Sequence, residues 1–118
     1  MVLNQLLQSD DVLPLVAEYY LVPDRFSVQQ FLDTHPQLGS FLLEARPVIE
    51  QIFGPFPQVV LEVETDPEIP GWMQLVAYIR TALPVIEAVE RLRQLDEAWF
   101  LDQLPRLGLS FNFSLECV

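Results

Sequence analysis

A chain of 118 residues with 51% hydrophobic side chains is long enough for one domain with its own core, which argues against disorder. Its 17 acidic residues against 6 arginines, no lysine and one histidine give a net charge of −11, the wrong sign for a protein that neutralises phosphates, so nucleic-acid binding is excluded as an expectation. The acidity is spread through both halves of the chain, as expected of an acidic surface that resists aggregation or meets a basic partner.

The N-terminal residues lack a basic n-region and a long apolar run, so neither a secretory signal nor membrane insertion is expected. Cys117, the lone cysteine, has no internal partner, and a reduced thiol in a cytoplasmic protein is the default.

Residues 1–22 read as an N-terminal helical arm. Leu3, Leu6 and Leu7 form an apolar turn. Ser9, Asp10 and Asp11 suit an N-cap with acids in the first turn, and Val12, Leu15, Val16, Tyr19 and Tyr20 continue at helical spacing up to Pro23. The arm either docks on its own chain or packs on another subunit. Residues 23–118 read as one α+β domain. Ser27–Gln30 has the form of a capping box before a short helix that ends before Pro36, which suits the first turn of the next. Leu38, Phe41, Leu42, Ala45, Ile49, Ile52 and Phe53 then form a long apolar stripe. Gly54 is placed to end it, and Pro47 is expected to kink it.

Three strands follow. In Gln58–Glu64, Val59, Leu61 and Val63 face one way and Glu62 and Glu64 the other. The segment 65–71 is too proline-rich to pair. In Met73–Arg80, Leu75, Ala77 and Ile79 alternate with Val76, Tyr78 and Arg80. The third strand sets Leu109, Phe111, Phe113 and Leu115 against Ser110, Asn112, Ser114 and Glu116. Between the second and third strands runs a helix of clear period. Val85, Val89, Leu92 and Trp99 fall on one face with Ala88 and Leu95 beside them. Glu87 and Glu90 can pair with Arg91 and Arg93 on the other side. The expected architecture is a two-layer α+β sandwich: N-terminal helices, then β-β-α-β, with a mainly antiparallel sheet in the order 2-1-3.

His35-Pro36, Leu61-Glu62-Val63 with Asp66-Pro67, Arg80-Thr81, the Asp-Glu-x-Trp-x-Leu-Asp run from Asp96 to Asp102, and Leu115-Glu116 carry a resemblance. Over roughly residues 31–118 the chain resembles a family of small uncharacterised bacterial proteins common in photosynthetic bacteria. The resemblance implies a shared fold unit and supplies no chemistry. Pro84-Val85-Ile86-Glu87 stands where that pattern has Ser-Pro-Glu-Glu, and Pro47 where it has a helix former.

Asp96, Glu97 and Asp102 gather at the end of the long helix, where carboxylates oppose the helix dipole. They read as a cation site, as an anchor for a partner's arginine, or as groups satisfied by backbone N–H, Arg106 or Arg80. Trp99 and Phe100 are neighbours and cannot both face one core from a regular helix. Either one of Trp72, Trp99 and Phe100 is an exposed interface anchor, or the helix ends near Trp99 and the chain turns to bury both. His35 stands alone with no second ligand for zinc, no Gly-x-Ser-x-Gly is present, and no glycine-rich loop suggests a cofactor. Glu62 and Glu64 read as a solvated face, while Val60, Val76 and Tyr78 make that face mixed enough to take a partner or a second copy.

The expected function is thus a small cytoplasmic protein-interaction module without catalytic activity or cofactor. Its partner is a protein, basic or a second copy, with Trp72, Tyr78, Asp96, Glu97, Trp99, Phe100 and Asp102 as the binding residues. A metal-dependent hydrolase built on Asp96, Glu97 and Asp102 is one alternative. An acidic antidote-like protein masking a basic partner is another.

Overall fold

A computed structural model describes residues 9–118. The apolar turn expected at Leu3, Leu6 and Leu7 lies outside the described residues. In chain order the elements are α1 (Ser9–Tyr19), α2 (Arg25–Thr34), α3 (Gln37–Phe53), β1 (Gln58–Thr65), β2 (Met73–Thr81), α4 (Val85–Ala98), a 3-10 turn (Phe100–Gln103), α5 (Leu104–Leu107) and β3 (Phe111–Cys117). The class is α+β, with helices on one face of a three-stranded sheet.

The strand faces follow from period two. Val59 and Leu61 of β1, Leu75, Ala77 and Ile79 of β2, and Phe111 and Phe113 of β3 are buried. The register aligns Leu61, Ala77 and Phe113 in one row across the sheet. Leu109, expected in the same alternation, falls before β3 and is exposed.

The strand order corrects the expectation. The sheet runs β1-β2-β3, with β2 central, β1 antiparallel to it and β3 parallel to it. Two physical reasons combine. A helical crossover returns the chain pointing the same way, which suits a parallel neighbour of β2. The outer edge of β1 is meanwhile occupied: the Leu21 N–H donates to the Val59 carbonyl at 2.8 Å and the Leu61 N–H to the Leu21 carbonyl at 2.9 Å.

That bridge also ties down α1. Val12, Leu13, Val16 and Tyr20 belong to the same buried cluster as the strands and α3. The Tyr20 hydroxyl donates to the Leu42 carbonyl at 2.6 Å, and the Arg46 guanidinium lies 5.9 Å over the Tyr20 ring. Helix α2 starts earlier than the Ser27 box suggested. Asp24 is the N-cap, its carboxylate accepting from Ser27 N–H at 3.1 Å and from Ser27 Oγ at 2.7 Å. An aspartate three residues before a serine is the better cap, because its charge also favours the positive end of the helix. Helix α3 runs through Pro47 and stops at Gly54, whose φ of 96° suits glycine.

Helix α4 exists as expected, but a different stripe is buried. Ala88 and Leu95 are buried, Leu92 and Trp99 are packed against the core, and Val85 and Val89 are exposed at 62% and 54%. The helix lies against β3 and α3. At that border only the line Ala88, Leu92, Leu95, Trp99 reaches the core, a spacing as helical as the expected one. Glu87 pairs with Arg91, and Glu90 and Glu97 both pair with Arg93.

The close approach of α1 to α3 rests on Gly39. A Cβ there would sit 2.6 Å from Val12 Cγ1. Gly39→Ala should destabilise the protein by about 1–3 kcal/mol despite its gain in helix propensity. Adding Val12→Ala should recover part of that loss. Urea unfolding of the single and double variants checks both, and additive losses would count against this docking.

Candidate functional site

Among the described residues no helix covers the face of the sheet away from the core. Its rows are Gln58, Arg80 and Glu116; Val60, Tyr78 and Ser114; Glu62, Val76 and Asn112. Arg80 is held at one end by Glu116 at 2.6 Å and by Gln58 Oε1 at 3.0 Å. At the other end lies a shallow depression of about 340 Å³, with Glu64, Asp66, Trp72, Val76 and Tyr78 in its lining.

The loop before β2 positions Trp72. Asp66 Oδ1 accepts from Glu68 N–H at 2.9 Å, the local turn that aspartate favours. The Ile69 carbonyl then accepts from Trp72 N–H at 3.0 Å, and Gly71 supplies a φ of 81°. Tyr78 stands on the central strand with its hydroxyl toward Glu64. Burial, the hydrogen bond to Glu64, and the charges of Glu64, Glu62 and Glu116 all hold the phenol above its ordinary value. Glu62, Glu64 and Asp66 have no ion-pair partner among the described residues.

Trp72 and Tyr78 are therefore brought together. The other expected residues are not part of this depression. Phe100 is buried, with its ring 5.0 Å from Phe113 and 6.0 Å from Phe111, so it is a core residue and not an exposed anchor. Trp99 is half-buried and stacks on Phe41 at 5.1 Å. The cause is the chain's departure from the helix: Trp99 takes φ −149°, and the 3-10 turn swings Phe100 inward. Among the described residues no group of three His, Cys, Asp or Glu side chains is placed to hold a metal ion, so Asp96, Glu97 and Asp102 do not converge as the hydrolase alternative needs. Glu97 is engaged by Arg93, and Asp102 is exposed. Arg106 pairs with Glu44 at 2.9 Å and not with this cluster. His35 accepts a structural role, stacked on Phe31 at 4.1 Å with Nδ1 3.0 Å from the Phe31 carbonyl. No helix among the described residues is long and apolar enough to cross a membrane.

Sequence reasoning set Glu64 aside as a solvated acid and gave Asp66 no role of its own. The signal that joins them to the site is pairing register, which puts Glu64 across from Gln74, on the same face as Tyr78 and four residues along from its row.

No protein-family model, curated protein or solved structure matches the chain, so the functional argument rests on these residues.

Asp96 provides a test of the helix end. Partial burial, then the neighbouring Glu97 charge, hold its carboxyl above the ordinary value. A carboxyl with a raised folded-state pKa favours folding when protonated. Its contribution is therefore lost as pH climbs from the ordinary carboxylate value through the raised one. Asp96→Asn should match the native protein in strong acid and melt higher than it near neutrality. Paired melting curves at the two pH values check this, and a difference independent of pH would contradict it.

Proposed function

We propose that the chain is a non-catalytic, cytoplasmic protein-interaction module whose open sheet face receives a basic segment of a partner protein at the Trp72–Tyr78 depression. One observation carries the reading: three carboxylates without cationic partners among the described residues, Glu62, Glu64 and Asp66, flank two aromatic rings on a face that no described helix covers. Aromatic faces attract a guanidinium or ammonium through the ring quadrupole, and carboxylates beside them add charge-assisted hydrogen bonds. An arginine or lysine side chain seated there gains both terms. Half-buried Val60, in the row of Tyr78, supplies apolar contact for its stem. The overall charge of −11 steers such a partner toward the surface and gives no help with an acidic one. The same chemistry accommodates an antidote-like role, in which the bound basic segment is the active part of the partner.

An arginine-rich peptide titrated into labelled protein should shift resonances around Trp72, Tyr78 and Glu64. Trp72→Ala should weaken that binding by about fivefold or more, the range of one cation–π contact. Glu64→Gln should flatten its salt dependence. Shifts confined to the helical face, or binding indifferent to Trp72, would overturn the proposal.

A further inference from the structure

The two outer edges of the sheet differ. The edge of β1 is bridged by Leu21 and carries Glu62 and Glu64. The edge of β3 has no strand beside it among the described residues. Native proteins protect such an edge with proline, lysine, a bulge or a covering loop. In β3, FNFSLEC, there is no proline and no basic residue, and the register with β2 is unbroken from Phe111 to Cys117, so there is no bulge.

The hydrogen-bonding polarity of the edge can be read directly. At one end Leu75 N–H donates to the Ser110 carbonyl at 2.9 Å, and at the other Val118 N–H donates to the Thr81 carbonyl at 2.9 Å. Along a parallel strand the residues facing a given neighbour alternate. Ser110, Asn112, Ser114, Glu116 and Val118 therefore turn their backbone groups to β2, and Phe111, Phe113, Leu115 and Cys117 turn theirs outward. Phe113 shows this independently: its N–H donates to the side-chain carbonyl of its neighbour Asn112 at 2.9 Å, a substitute for a missing strand.

We propose that β3 pairs antiparallel with β3 of a second copy of this chain, about a two-fold axis at Ser114, so that two three-stranded sheets become one. Charge selects this occupant. On a molecule of net charge −11, copies repel across most of their surface. From Leu107 to the end of the chain Glu116 is the one charged side chain, and Arg80 already pairs with it. The two-fold at Ser114 pairs all seven residues of the strand. It sets Phe113 across from Leu115 and Phe111 across from Cys117, the residues whose backbone groups point outward. It also sets Glu116 across from the second copy's Asn112, so that carboxylate meets amide and no like charges face each other. Asn112 caps Phe113 in the free strand and releases it to the incoming carbonyl. Exposed Leu109 and Val118 flank the new seam.

Sedimentation equilibrium of the full chain should show a monomer–dimer equilibrium. Proline at an outward position removes an edge donor without touching the ladder to β2. Leu115→Pro and Cys117→Pro each remove two donors from a symmetric dimer, so each should weaken it by about thirtyfold while circular dichroism stays native. In the unaltered protein, exchange of the Leu115 and Cys117 amides should slow as concentration rises, a readout that does not depend on either variant folding. A monomer at millimolar concentration, or a dimer indifferent to Cys117→Pro with unchanging amide exchange, would overturn the proposal. The first result would leave the edge to a strand of another protein, the second would place the dimer on another surface.

Discussion

One phenylalanine ring fixes the relation between the helical layer and the sheet. Phe41, fully buried on α3, meets Trp99 in a stack at 5.1 Å and Phe111 edge-on at 4.9 Å, with Phe100 and Phe113 both at 6.2 Å. Each favourable ring pair adds about 0.5–1.5 kcal/mol beyond the area it buries. The cluster joins α3, the end of α4 and β3, which are far apart in sequence and share little backbone hydrogen bonding. The Arg106 guanidinium closes it from outside, 5.8 Å over the Phe41 ring and paired with Glu44. Together with the β2–β3 ladder, this cluster returns the chain from α4 to lie parallel beside β2.

The cluster has a consequence on the far side of the sheet. Because the described helices and the aromatic turn are committed to one face, none of them covers the other. A face in this position must be polar enough to stand in water, and most of its residues are. Trp72, Tyr78, Val60 and Val76 are the departures from that rule, and they are grouped with carboxylates that lack cations among the described residues. A wet sheet face needs neither tryptophan nor unpaired acids for its own stability. Residues that break a local pattern without a structural return are where function is best sought.

Local features were readable from the chain and long-range ones were not. The dry and wet faces of all three strands follow from alternation, since a strand's side-chain period is fixed by its backbone. The end of α3 at Gly54 and the ion pairs of Arg91 and Arg93 follow from residue type and spacing. The buried stripe of α4 did not, because Val85 and Val89 are more hydrophobic than Ala88, and only the approach of α3 and β3 decides which line is covered. Strand order depends on Leu21 reaching the edge of β1 across some forty residues, a contact with no local signature. Trp72 and Tyr78 could be named in advance as unusual residues. Their meeting with Glu64 and Asp66 required the register and the loop geometry. For Phe100 the sequence left both an exposed anchor and a buried turn open, and the end of α4 at Ala98 decides for the turn.

The claim that most of this depends on is that Phe41 binds the layers together, and truncating its ring tests it directly. Phe41→Leu, followed by urea unfolding and by the fluorescence of Trp99 in a Trp72→Phe background, should lose about 2–4 kcal/mol of stability and shift the emission of the ring that stacked on it. A loss below about 0.5 kcal/mol, the level of an ordinary surface substitution, with Trp99 emission unchanged, would contradict the account.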